Sequence, residues 1–190
     1  MNLIVAVIHY PVYNKKREIV ATSVTGSEIH DVSRTCMTFN VKLCYIVTPL
    51  QKQREIVERM KIHWTQGYGA KYNPLRAQAL GILRTANSLD DVIAEISIDG
   101  VKPQLVGTSA RKRETKNMTY REFYHSIKNR GENTLLLFGT GWGLTDETVE
   151  RCDRMLEPIS GPGNYNHLSM RVAMGIVLDR IFNPRGGCDE

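Results

Sequence analysis

Leu3 to Ile8 is an uninterrupted apolar run, Leu-Ile-Val-Ala-Val-Ile, and His9 closes it. A strand with one face in water alternates apolar and polar residues. A run without alternation calls for cover on both faces, the condition of a parallel sheet between helices. Asn133 to Phe138 is a second such strand, Lys42 to Thr48 is dominated by strand formers, Gln104 to Gly107 is short, and Arg154 to Glu157 is very short. Helical stretches lie between them. One starts from a cap at Thr25 or Ser27 and runs through Ile29, Val32, Cys36 and Met37 to about Phe39. Thr25-x-x-Glu28 also fits a capping box. Others run from Gln51 to about His63, from Asn73-Pro74 through Ile82 and Leu83, from Ser88 to about Asp99, from Thr119 through Ile127, from Thr145, and from His167 to Phe182.

Strands alternating with helices predict an α/β fold with a mostly parallel sheet. We expect a single domain over residues 1–190, with a helical insertion at about 68–87 beside the sheet. Pro11 to Ala21 reads as a polar connection, and Pro184-Arg185-Gly186-Gly187 as a frayed tail. An apolar content of 42% with 24% charged residues suits a soluble globular chain, and the net charge of +5 modestly favours polyanionic partners. Cys36, Cys44, Cys152 and Cys188 have no metal or redox spacing, and the first two, among apolar residues, read as buried thiols. No metal site is expected. The short Leu3–Ile8 run lacks a basic leader, and no stretch approaches the ~18 apolar residues of a membrane span. A cytoplasmic protein is expected.

Three turns follow strands: Gly107-Thr108-Ser109-Ala110, Phe138-Gly139-Thr140-Gly141-Trp142-Gly143-Leu144, and Ile159-Ser160-Gly161-Pro162-Gly163 leading to Asn166. Neither glycine loop is followed by Lys-Ser/Thr, so there is no Walker loop, and the glycines at 139, 141 and 143 miss the dinucleotide fingerprint. A single glycine loop can be nothing more than a turn. In an open α/β sheet, however, ligands lie beyond the carboxyl ends of the strands, so turns from neighbouring strands converge on one pocket. Its main chain would suit a purine, with Leu144, Ile159 and Leu168 as apolar walls.

These segments resemble the ligand-binding turns of the SPOUT, or α/β-knot, RNA methyltransferases. Val106 to Arg111 is similar to a turn of some ribose methyltransferases in that superfamily. Leu136 to Leu144 resembles its second motif, with Gly141 where a Glu is usual. Asn166-His167-Leu168-Ser169-Met170-Arg171-Val172-Ala173 resembles the final motif, with Ser169 at a common Asn. Arg34-Thr35-Cys36 to Val41 looks like the first motif of the 2′-O-methylating branch. That branch carries an Asn upstream, and Asp31 lies near but at another spacing.

The resemblance implies a C-terminal trefoil knot, a homodimer packed through the last helix with Ala173 and Gly175 at close approach, and S-adenosylmethionine as cofactor. Thr108, Ser109, Ala110, Phe138, Gly139, Thr140, Gly143, Leu144, Ile159, Gly161, Gly163, Asn166 and Leu168 would hold that cofactor. Arg34 and Ser169 would serve the reaction: Arg34 by orienting a ribose hydroxyl and a phosphate, Ser169 by holding substrate. For Arg34 the alternative is a surface salt bridge; for Ser169 and Asn166 it is a helix cap. His167 reads as packing or capping. The basic segments 15–17, 52–61 and 111–116, with Tyr13, Trp64 and Tyr68, could track an RNA backbone. The expected activity is methylation of tRNA or rRNA, on ribose 2′-O. The rivals are base methylation, a knotted RNA-binding protein without turnover, and an α/β enzyme using another nucleotide.

Overall fold

The computed structural model describes residues 1–112, 116–129 and 131–183. Arg113 to Thr115 of the third basic segment, Cys188 and the tail at Pro184 to Gly187 lie outside the described residues. In chain order the elements are β1 (Leu3–Ile8), β2 (Val12–Tyr13), β3 (Ile19–Val20), α1 (Gly26–Thr38), β4 (Leu43–Val47), α2 (Gln51–Thr65), α3 (Tyr68–Tyr72), α4 (Pro74–Gly81) and β5 (Leu83–Ala86). Then come α5 (Leu89–Ile96), β6 (Gln104–Gly107), β7 (Asn117–Met118), α6 (Tyr120–Asn129), β8 (Thr134–Gly139), α7 (Asp146–Arg151), β9 (Arg154–Leu156) and α8 (Met170–Phe182).

Seven strands form one sheet in the order β5-β4-β1-β8-β6-β9-β7, and every pairing in it is parallel. The unbroken run of β1 has the expected cause. Leu3, Val5 and Val7 face a core shared with α1, α2, α4, α6 and α8, while Ile4, Ala6 and Ile8 face a second core under α5 and α7. Both faces are covered, so both sets of side chains are apolar.

Local signals set most helix starts. Thr25 accepts from the Glu28 amide, Ser88 and Asp91 form a full capping box, and Thr119 pairs with Glu122 in the same way. The last helix begins at Met170 rather than at the expected His167, because Ser169 caps it by accepting from the Val172 amide. The stretch at 68–87 is only partly helical: α3 and α4 occupy its first part, and β5 then joins the main sheet as its edge strand. Pro11 to Ala21 is likewise no plain connection, since β2 and β3 pair as an antiparallel hairpin. Gly81 ends α4 where the apolar stripe suggested a longer helix. No helix among the described residues is long and apolar enough to cross a membrane. Cys36, Cys44 and Cys152 are buried free thiols.

Candidate functional site

β8, β6 and β9 are adjacent and parallel, so their carboxyl ends lie on one edge of the sheet and their turns open on the same side. Hydrogen bonds and ring contacts then join the turns. The Thr108 amide and hydroxyl both donate to the Leu137 carbonyl, at 3.1 and 2.9 Å, fastening the first turn to the strand that feeds the second. The Asn166 side-chain amide donates to the Ala110 carbonyl at 3.0 Å, linking the third turn to the first. The His167 ring lies 6.2 Å from the Trp142 ring, linking the third turn to the second. The three turns meet, and Asn166 joins two of them as a brace rather than as a helix cap.

The second turn is compact for identifiable reasons. A Cβ on Gly139 would sit 2.6 Å from the Leu144 nitrogen, and Gly141 and Gly143 have φ of +57° and +100°. Tyr13 pairs with the turn on both sides: Trp142 donates to its carbonyl at 2.8 Å, and its own amide donates to the Gly143 carbonyl at 3.0 Å. A Cβ on Gly141 would lie 2.8 Å from that Tyr13 carbonyl oxygen. This accounts for glycine at the position where the related motif carries Glu.

Not every anticipated contact residue presents its side chain to the turns. Phe138 and Leu144 are buried in the two cores, and Ile159 packs half-buried against the core under α8. Leu144 is therefore core rather than the pocket wall expected of it. Thr140 turns inward, donating to the Ile8 carbonyl at 3.0 Å. Gly161, Gly163, Leu168 and Ser109 are accessible. What the third turn offers is main chain: among the described residues, the backbone from 158 to 168 makes no intramolecular hydrogen bond.

Arg34 and Ser169 meet in a second part of the site, an open groove of about 520 Å³ between α1 and the start of α8 that also includes Thr35, Val172 and Gly175. Asp31, one turn before Arg34, pairs with Arg171 at the start of α8 and pins the two helices together. Arg34 itself is exposed and has no ion-pair partner among the described residues. Behind it, burial and then the Arg76 guanidinium hold the His30 imidazole below its ordinary pKa; Asp31 opposes the shift and Arg34 adds to it.

Sequence reasoning missed a buried chain at the end of β1. Glu28 and His9 are 2.7 Å apart, the other His9 ring nitrogen lies 2.9 Å from the Thr22 hydroxyl, and that hydroxyl is 2.5 Å from Thr140. The chain supports the second turn from beneath. The available signal was a histidine ending an otherwise apolar strand.

An all-parallel sheet with helices on both faces, and turns from three neighbouring strands tied together beyond its carboxyl edge, defines an α/β protein with a candidate ligand site at that edge. The model of the SAM-dependent RNA methyltransferase family matches residues 2–183, and the chain belongs to that family. A protein of Aquifex aeolicus without a functional name is 38% identical over 99% of this chain and 91% of its own length. A protein of Oleidesulfovibrio alaskensis named tRNA (guanine-N(1)-)-methyltransferase is 39% identical over 95% of this chain, which spans only 42% of that relative's length. Among solved structures, the A. aeolicus TrmH/SpoU tRNA modifying enzyme superposes with a TM-score of 0.56 at 20% identity, covering 97% of this chain and 77% of that one.

S-adenosylmethionine is thus the cofactor class, which removes the rival of another nucleotide. The donor set fits it. An adenine edge needs main-chain donors and acceptors, and among the described residues the main chain at 158–168, beside the first two turns, pairs with no other backbone group.

Proposed function

We propose that this protein methylates a ribose 2′-hydroxyl of structured RNA, with tRNA the preferred class. The observation that carries the reading is the groove in which Arg34, exposed and with no ion-pair partner among the described residues, faces the start of α8 at Ser169, next to the joined turns. Thr108, Ser109, Ala110, Gly139, Gly143, Ile159, Gly161, Gly163, Asn166 and Leu168 would hold S-adenosylmethionine, with Phe138, Thr140 and Leu144 acting through their main chain. When bound, it supplies an activated sulfonium methyl group.

The chain's own work is then positional and electrostatic. Arg34 forks onto the ribose hydroxyl and its neighbouring phosphate, fixing the acceptor oxygen in line and stabilising the charge that develops on it. A guanidinium offers donors and no acceptor, so it takes no proton, and the hydroxyl proton leaves to water in the open groove. Ser169, already engaged with the Val172 amide, keeps its hydroxyl hydrogen free to donate to substrate.

The same reading includes a threaded C-terminal helix, a homodimer and a cytoplasmic location. A Cβ on Gly175 would meet nothing within 4 Å, and Leu168 and Val172 stand exposed nearby. A second copy packed beside that strip would border the Arg34 groove, which Val172 and Gly175 also line.

One observation favours base methylation instead: the Oleidesulfovibrio relative is named for guanine N1. The name belongs to a protein of which this chain matches less than half, so it supports tRNA more than it decides the acceptor atom. Labelled methyl transfer onto unmodified tRNA, followed by nucleoside mass spectrometry, tests the proposal. A 2′-O-methylnucleoside is expected. N1-methylguanosine would overturn the ribose assignment, and no transfer to any RNA would leave a binding protein.

A further inference from the structure

We propose that the β2–β3 hairpin and the exposed rings of Trp142, Tyr165 and His167 form a docking subsite for an unpaired stretch of RNA. The inference rests on the RNA-methyltransferase reading and adds where the nucleic acid lies. The rings come from two turns. His167 sits 6.2 Å from Trp142 and 5.3 Å from Tyr165, at interplanar angles of 60° and 72°. Edge-on contacts of this kind leave ring faces open, and Trp142 and Tyr165 are 52% and 80% exposed. Large aromatic rings left in water at the mouth of a ligand site need a partner with a flat face of its own. A nucleobase has one, and single-stranded RNA offers bases freed from pairing.

Charge on the neighbouring hairpin points to the same partner. Lys15 and Lys16 are exposed at its tip, two and three residues beyond the Tyr13 peptide that pairs with Trp142 and Gly143. The tip is held rigidly: the Asn14 side chain accepts from the Lys16 and Glu18 amides at 2.8 and 3.0 Å. Arg17 lies over the Tyr13 ring at 4.5 Å and pairs with Asp146 at 2.6 Å, which fastens the hairpin to the start of α7. Arg17 is therefore a fastener, and the two lysines are the cations available to phosphate. Aromatic faces interleaved with fixed cations match the alternation of base and phosphate along a single strand. A purely apolar partner would leave the lysines without counter-charge.

The test uses the full chain, an unmodified tRNA transcript, and a blunt RNA duplex of equal length. Trp142→Ala and Tyr165→Ala should each weaken transcript binding about 10-fold, the middle of the range for a lost base–aromatic stack, while Trp142→Phe retains most of it. Affinity for S-adenosylmethionine should fall far less than transcript affinity, because these rings border the cofactor site that the turns form without entering it. Lys15→Ala and Lys16→Ala should each lower the slope of log K against log salt by about 0.7, one single-strand phosphate contact. The wild-type chain should prefer the transcript to the duplex. Unchanged transcript binding in the aromatic variants, loss of cofactor affinity in their place, or preference for the duplex would each overturn the subsite while methyl transfer stood. A wild-type chain that binds neither RNA overturns the underlying reading as well.

Discussion

Asn166 donates its side-chain amide to the carbonyl of Ala110, 56 residues away, at 3.0 Å. The bond joins the third turn to the first, and among the described residues the main chain at 158–168 pairs with no other backbone group. Asn166→Ala removes the brace without disturbing a core. We expect S-adenosylmethionine affinity to fall about fivefold, one ordinary hydrogen bond, with the melting temperature nearly unchanged. Titration calorimetry beside a thermal scan checks both, and wild-type affinity would show that the brace is idle.

Restoring the Glu of the related motif should harm this chain. Gly141 has a φ of +57°, and any Cβ there meets the Tyr13 carbonyl at 2.8 Å. Gly141→Glu is expected to cost about 1–3 kcal/mol in urea unfolding through backbone strain. A neutral or stabilising result would show that the turn relaxes without loss.

His9 is fully buried, and Glu28 is its partner at 2.7 Å. Glu28→Ala leaves the buried imidazole without that hydrogen-bond partner, and an unsatisfied buried polar group costs about 1–3 kcal/mol. Glu28→Gln, which keeps an acceptor oxygen, should cost less. Denaturant midpoints rank the two, and equal losses would mean that the hydrogen bond contributes nothing.

Arg34→Ala should lower turnover at least 100-fold, the order of one lost electrostatic contact to the reacting oxygen, and leave cofactor affinity intact. Single-turnover methyl transfer with saturating RNA measures it. An unchanged rate removes Arg34 from the reaction.

Burial pushes the Cys152 thiol from 9.0 up to about 11, against a lowering pull from Lys116. The fold holds the protonated thiol and the unfolded chain releases the proton first, so unfolding is favoured as pH rises. The contribution is full below the unfolded value of 9.0 and is lost by about pH 11. It amounts to roughly 2–3 kcal/mol. Cys44, raised by its hydrogen bond with Cys36 and by burial, shifts in the same direction. Stability should therefore fall across that interval, and less steeply in Cys152→Ala. Parallel curves for the two proteins would contradict the assignment.

What the sequence makes legible here is whatever neighbouring residues decide. The unalternating β1 reveals its two covered faces, and Ser88 with Asp91 marks a helix start without outside help. Thr25 and Glu28 show the limit. The Thr half of that box forms, but the Glu side chain turns to His9, 19 residues away, and no local pattern encodes that partner. β2, β3 and β7 have two residues each, too few to carry periodicity, and they exist because of what they pair with. In β5 only Leu83 and Ala86 are buried, so it lacks the apolar run of the central strands. In the site, turn composition located the three loops. Which side chains point inward, as at Thr140 and Leu144, depends on β1 and β2 packing against them.

Hydrogen–deuterium exchange with and without S-adenosylmethionine tests most directly whether three separate turns clasp one adenosyl group. Protection should rise together at 107–111, 139–144 and 159–168, the turns after β6, β8 and β9. Protection confined to one of these segments, or centred on the opposite edge of the sheet, would contradict the account.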